Sequence, residues 1–252
     1  MRHCSASRTL SGFSLVELSI VLVILGLLVG GILAGQSLIR AAELRSVTTE
    51  NSRFLTATSA FKDKYFAIPG DFTYATNFGW TNGGNGNGNG LIEAGTPNET
   101  STFWVHLSYA GLIEGNYTYL ASGASTIGTH NPKSKLNTAG WNVMWLGTVL
   151  PTSGTYYPGN YNNAFLFGAG TTVGVPTGAM KAEEAWNIDT KMDDGRPELG
   201  GVRAMESLGG TATTGCGDQA ASTAAVAPTT AINYALQNSS TTACALVFRT
   251  GY

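Results

Sequence analysis

The alternation of apolar and polar residues changes character along the chain. From Phe13 to Ile39 the only charged side chain is Glu17, and Leu18 to Leu33 holds no strongly polar group except Ser19. About 20 apolar residues suffice to cross a bilayer as a helix. Beyond Arg40 the pattern becomes amphipathic. Leu44, Val47, Phe54, Leu55, Thr58, Phe61 and Tyr65 recur at steps of three and four, with Arg45, Glu50, Arg53, Lys62 and Lys64 on other faces. No proline occurs between Phe13 and Pro69-Gly70, so the pattern predicts one helix over 13–66. Its first part, 13–39, is the membrane-spanning portion, and 40–66 is an amphipathic stalk. At 1.5 Å per residue it would reach about 80 Å.

The remainder, residues 67–252, predicts an exported globular head. Thr100 or Ser101 would cap a helix running to Ala110 and stopped by Gly111, with Phe103, Leu107 and Ala110 inward. A second helix is predicted from Ala179 to Asp193, capped by Thr177, with Met180, Ala185, Trp186, Ile188 and Met192 as its apolar positions. Val143–Val149 and Cys244–Arg249 read as strands. The expected class is α+β, a long N-terminal helix packed on a mainly antiparallel β head.

Composition narrows the setting. Charged residues make up 12% of the chain, about half the usual share of a soluble domain, and there are 33 glycines among 252 residues. The mean hydropathy of +0.03 excludes a polytopic membrane protein. A net charge of -2 leaves no basic footprint, so no nucleic-acid partner is expected. Arg2 and Arg8 before the apolar run predict a cytoplasmic N-terminus and export of the chain on the far side of that run. Of three cysteines, Cys4 precedes the run. Cys216 and Cys244 form a pair in the exported part and predict a disulfide, stabilising by roughly 3–4 kcal/mol.

Glu17 is the residue that most needs explaining. A carboxylate within an apolar segment costs about 2.5–3.5 kcal/mol on insertion scales and normally has a partner. No Lys or Arg lies within helical reach on the apolar side. The local string Gly12-Phe13-Ser14-Leu15-Val16-Glu17-Leu18, followed by an unbroken apolar helix, resembles the type IV pilin and type II secretion pseudopilin superfamily. The resemblance covers the N-terminal quarter. It implies a leader, residues 1–12, removed by a prepilin peptidase between Gly12 and Phe13, with methylation of the new N-terminal Phe13. It also implies that the ammonium of Phe13 on a neighbouring subunit pairs with Glu17, satisfying both charges in a filament and setting subunit register.

The implied setting is a single-pass inner-membrane protein with a pilin-like fold, its head exported, later drawn into a surface or periplasmic filament. The implied partners are identical or related pilin subunits, the peptidase, an inner-membrane assembly platform, and lipid before assembly. A secretory signal peptide cut near Leu33-Ala34-Gly35 is the rival. It fits less well, because the apolar run exceeds the usual 7–15 residues.

Gly26, Gly30, Gly31 and Gly35 form two Gly-x-x-x-Gly spacings, which let helix backbones approach closely, and they are candidate assembly contacts. The superfamily often has a proline in this region; this chain lacks it.

Two segments are candidate calcium sites, although no cofactor is required. In the Gly/Asn repeat 82–93, Asn85, Asn87 and Asn89 match the start of a calcium loop, but Asn replaces each early Asp and Thr96 stands where the bidentate Glu belongs. The competing reading is a surface turn of residues that tolerate positive φ. Asp189, Asp193 and Asp194 form a denser acidic group near a helix end, with a salt-bridged turn through Arg196 or Arg203 as its plain alternative.

Trp145, Tyr156, Tyr157 and Tyr161 read as packing residues, or alternatively as a sugar-stacking face. No H-E-x-x-H, G-x-S-x-G or P-loop spacing occurs, and no enzymatic activity is expected. The competing functional class is an anchored or secreted surface module whose head binds a ligand such as a glycan.

Overall fold

The computed structural model describes residues 12, 14–95, 97–121, 125–136, 138–149, 157, 159–170, 176–206, 215–218, 232–237 and 242–252. Phe13, Thr96 and Tyr156 lie outside the described residues. The chain divides into two compact units, Met1–Ala42 and Glu43–Tyr252.

Helix α1 runs from Leu15 to Tyr65. In the first unit its apolar side chains are exposed from Leu15 to Ile39, and this helix is long and apolar enough to cross a membrane. The helix starts with local capping chemistry. The Glu17 Oε2 accepts the Ser14 backbone N–H at 2.8 Å, and Ser14 Oγ accepts the Val16 N–H at 3.3 Å. Ser14 and Glu17 thus cap the helix in the manner of a capping box, with the hydroxyl on the second rather than the third N–H, and satisfy N–H groups that a helix start leaves unpaired.

The second unit is an α+β head. Strands β1 (Ala139–Val149), β2 (Gly159–Ala169), β3 (Val202–Glu206) and β4 (Cys244–Arg249) form a sheet in the order β1-β2-β4-β3, every neighbouring pair antiparallel. β4 matches the expected strand, and β1 contains the expected Val143–Val149 but begins earlier, at Ala139. β2 and β3 are not legible in the pattern, since β2 opens Gly-Asn-Tyr-Asn-Asn, a turn-like composition held in the sheet by pairing with β1, while β4 pairs β2 only from Ala164 to Phe167.

The main core lies between one face of this sheet, helix α2 (Glu99–Tyr109) and the C-terminal half of α1. Val47, Phe54, Thr58 and Phe61, all predicted inward, are buried, while Leu44, Leu55 and Tyr65 are half-buried at the edge. Phe54 makes edge contacts with Trp104, Trp141 and Phe165 at ring separations of 5.0, 5.5 and 6.3 Å. The opposite sheet face carries a smaller cluster of Tyr161, Ala164, Leu166, Met205, Ala245 and Val247.

Two helix starts differ from the expectation. α2 begins at Glu99 with Asn98 at the N-cap position, where its carbonyl accepts the Thr102 N–H at 3.3 Å and the Ser101 and Thr102 hydroxyls, and its side chain takes the Thr100 hydroxyl rather than a backbone N–H. Helix α3 spans Ala182–Met192 rather than starting at Ala179. The reason is sheet pairing. Thr177 bridges Ala169 and Met180 bridges Cys244, which holds 177–180 extended until Glu184 Oε2 takes the Lys181 N–H at 2.9 Å.

Cys216 and Cys244 form the expected disulfide, with Cα atoms 4.9 Å apart. It ties the segment 215–218 to the first residue of β4, where Met180 also pairs.

Candidate functional site

Around the N-terminal helix the structure places Glu17 in the first turn of α1, with its carboxylate on the Ser14 N–H. The apolar surroundings point only to a cation as partner for this carboxylate. The signal for the second partner is Ser14, three residues before Glu17. Gly12 is described and exposed. At Gly26, Gly30, Gly31 and Gly35 a Cβ would meet nothing within 4 Å, so each position is open on the isolated chain.

The Gly/Asn repeat folds into something other than an array of inward side-chain oxygens. Each Asn oxygen takes a donor from the chain. Asn85 Oδ1 accepts the Thr76 N–H, Asn87 Oδ1 the Asn89 N–H, and Asn89 Oδ1 the Leu91 N–H, at 2.8–2.9 Å. The inward groups are backbone N–H. Asp71 Oδ1 accepts from Gly88 and Asn89, and Asp71 Oδ2 from Gly90 at 2.7 Å. Three successive N–H groups converging on one carboxylate form an anion nest. Gly88 and Gly90 supply the positive φ it needs, +78° and +84°. Gly86 is small for a different reason, since a Cβ there would run into the Asp71 backbone.

Two further titratable groups hold the same loop. Glu99 accepts the Asn87 N–H at 2.9 Å and the Glu93 N–H at 3.2 Å. Burial pushes its carboxyl up to about 7, opposed by those two donors and reinforced by the charges of Asp71 and Glu93. His106, fully buried, accepts the Gly70 N–H at Nδ1 and donates from Nε2 to the Gly84 carbonyl, both at 3.0 Å. Burial lowers its pKa to about 4, against the raising effect of the Gly84 carbonyl. It is a neutral bridge between two loops, stacked on Phe61 with the rings 2° from parallel.

Asp189, Asp193 and Asp194 are brought together, with one carboxylate oxygen of each within 4.8 Å of the others. Asp189 is buried on α3, where Oδ2 accepts the Tyr234 hydroxyl at 2.8 Å and Oδ1 the Gly195 N–H at 3.3 Å. Burial pushes its carboxyl up to about 7; those two hydrogen bonds oppose the shift and the charges of Asp194 and Asp193 add to it. Asp193 Oδ2 accepts the Gly201 and Val202 N–H groups, and Asp194 Oδ1 the Arg196 N–H. The Arg196 side chain pairs with Glu198. The donor set of three carboxylates has the hard oxygen chemistry that calcium prefers, while the hydrogen bonds in place already use several of its lone pairs.

Of the aromatic residues expected to pack, Tyr157 and Tyr161 are fully buried and Trp145 is partly exposed on β1. No protein-family model, no curated protein and no solved structure matches this chain.

Proposed function

We propose that this chain is a structural subunit of a membrane-derived filament of the type IV pilin or type II secretion pseudopilin kind. The observation that carries the reading is the N-terminal arrangement: Gly12 ahead of a capped helix, Glu17 in its first turn, and an apolar surface exposed from Leu15 to Ile39. A helix with that much uncovered apolar surface is stable in lipid or against copies of itself. A prepilin peptidase would cut between Gly12 and Phe13, and Glu17 would then meet the Phe13 ammonium of a neighbouring subunit. The four open glycines would let neighbouring helices close on one another. The head, with its disulfide, would face away from the cytoplasm, where disulfides persist.

The test is mass spectrometry of material sheared from the cell surface or recovered from the periplasm. The expected first residue is N-methylated Phe13, in a fraction that sediments as filaments. Protein retaining residues 1–12, or trimmed near Ala34 and soluble, overturns the reading.

A further inference from the structure

Every Asn-Gly pair in the sequence falls in the Gly/Asn loop: Asn82-Gly83, Asn85-Gly86, Asn87-Gly88 and Asn89-Gly90. Such a pair is prone to spontaneous deamidation, because glycine has no Cβ to shield its backbone nitrogen from the preceding side chain. The reaction needs no enzyme. The glycine nitrogen gives up its proton and bonds the asparagine Cγ, the Cγ–Nδ2 bond breaks, and ammonia leaves with that proton. Water then opens the resulting succinimide at either carbonyl, leaving aspartate or isoaspartate. Asn85, Asn87 and Asn89 are exposed, so water reaches each of them.

The fold places an acceptor on the attacking nitrogen of these three. Gly86 N–H donates to the Phe72 carbonyl at 2.9 Å, Gly88 N–H to Asp71 Oδ1 and Gly90 N–H to Asp71 Oδ2 at 2.7 Å. The last two share one anion. A proton lost beside a carboxylate leaves two like charges together, which makes that N–H harder to ionise. The side chains under attack are tied as well. Asn87 Oδ1 takes the Asn89 N–H and Asn89 Oδ1 the Leu91 N–H, while both Nδ2 groups donate to Glu93 Oε2, at 3.4 and 2.8 Å. Asn82 is held without Asp71, its Nδ2 on the Tyr117 carbonyl and its Oδ1 on the Tyr119 N–H.

Deamidation would undo the bonds that prevent it. The nitrogen that leaves Asn87 or Asn89 is the donor to Glu93, and the carboxylate that replaces the amide is a like charge beside Glu93, with Asp71 and Glu99 already bonded to the same loop. Like charges so placed repel. Isoaspartate also adds a carbon to the backbone, which shifts the register of the converging N–H groups. A loop modified at either residue does not reclose as before.

We propose that Asn87 and Asn89 are deamidation sites gated by Asp71, so that a transient opening of the loop is converted into a permanent change of charge. This rests on the head alone and is independent of the filament reading.

The test incubates the full chain in detergent micelles at pH 8, folded and in guanidinium chloride, and follows each Asn-Gly pair by peptide mass spectrometry. In the folded parent Asn87 and Asn89 should convert at least about tenfold more slowly than in denaturant, and Asp71→Ala should accelerate both by at least about tenfold, since a reaction confined to the open loop tracks the open population. Asp71→Asn, which keeps one acceptor oxygen, should fall between the two. Asn82 should keep the parent rate in both variants. The double variant Asn87→Asp, Asn89→Asp should raise hydrogen exchange at Gly88 and Gly90 with Asp71 intact. Conversion as fast in the folded parent as in denaturant overturns the proposal. So does an unchanged rate in Asp71→Ala, or a slower one, which would make Asp71 the base of the reaction rather than its block. Equal acceleration at Asn82 overturns it by assigning the effect to loss of the whole head, and parent-like exchange in the double variant overturns the permanence of the change.

Discussion

Glu50 Oε2 accepts the indole N–H of Trp141 at 2.7 Å, joining the C-terminal half of α1 to β1 through a bond across 91 residues of sequence. The other oxygen, Oε1, takes the Lys135 backbone N–H at 3.0 Å. Both residues are buried, and Trp141 also packs against Phe54, Phe167 and Phe248. One carboxylate therefore ties the aromatic cluster around Trp141 to the helix.

Glu50→Ala leaves the buried Trp141 indole N–H and the half-buried Lys135 N–H without an acceptor. The expected loss is about 2–4 kcal/mol of head stability, read as a lower melting temperature in detergent. Glu50→Gln keeps one acceptor oxygen and should lose roughly half as much. Equal melting of all three proteins would show that water replaces the carboxylate.

Asp71→Ala should free the Gly/Asn loop. Removing the nest's anion leaves the Gly88 and Gly90 N–H groups without an acceptor, while Asn89 keeps Asn87 Oδ1, so the loop must open to water, at a cost of about 1–3 kcal/mol. Hydrogen exchange at residues 84–92 should rise by at least about tenfold, while exchange in α2 and β4 stays near the parent rate. Unchanged protection at Gly88–Gly90 would mean the loop is held by its own turns.

The head's stability should fall as pH rises from about 4 to 7. Glu99 and Asp189 both have folded pKa values raised to about 7, so each contributes stability fully present below its unfolded pKa and lost as pH climbs through the folded one. His106 acts in the opposite sense. Its folded pKa of about 4 means stability present above its unfolded pKa and lost as pH falls toward 4. Two carboxyls against one imidazole leave a net decline with rising pH. In Asp189→Asn the amide can still accept from Gly195 and can donate to the Tyr234 oxygen, so this variant should be more stable than the parent at pH 8 and equal to it near pH 4. A parent curve as flat as the variant's would refute the assignment.

The legible parts of this fold are those set by local pattern. The apolar run, the three- and four-residue spacing from Leu44 to Tyr65 and the stop at Pro69-Gly70 delimit α1 to within a residue or two. The cysteine pair follows from position and from the expected export of the head. What cannot be read depends on distant partners. Strand β2 is extended because β1 and β4 pair with it, and residues 177–180 are kept from α3 by β4 and Ala169. The Gly/Asn repeat is ambiguous for a related reason: its alternating glycines suit both a cation loop and an anion nest, and the choice rests on Asp71, seventeen residues from Gly88. Glu99 and His106 carry no motif. Only burial makes them the loop's supports.

Glu17 caps α1, the proposed filament would give it a second role, and one substitution divides the two. As a cap it needs only an acceptor oxygen for the Ser14 N–H; as an assembly residue it needs a negative charge for a neighbour's ammonium. Glu17→Gln keeps the first and removes the second. Helix content and membrane insertion should therefore match the parent, whereas incorporation into filaments, measured by quantitative immunoblotting of the sheared fraction, should fall by about tenfold or more, corresponding to a lost charge-assisted contact of about 1.5–3 kcal/mol. Glu17→Ala removes both, so any further loss relative to Gln measures the cap, which is worth about 0.5–2 kcal/mol. Filaments from the Gln variant at the parent's level would confine Glu17 to capping and remove the charge pairing from the assembly mechanism.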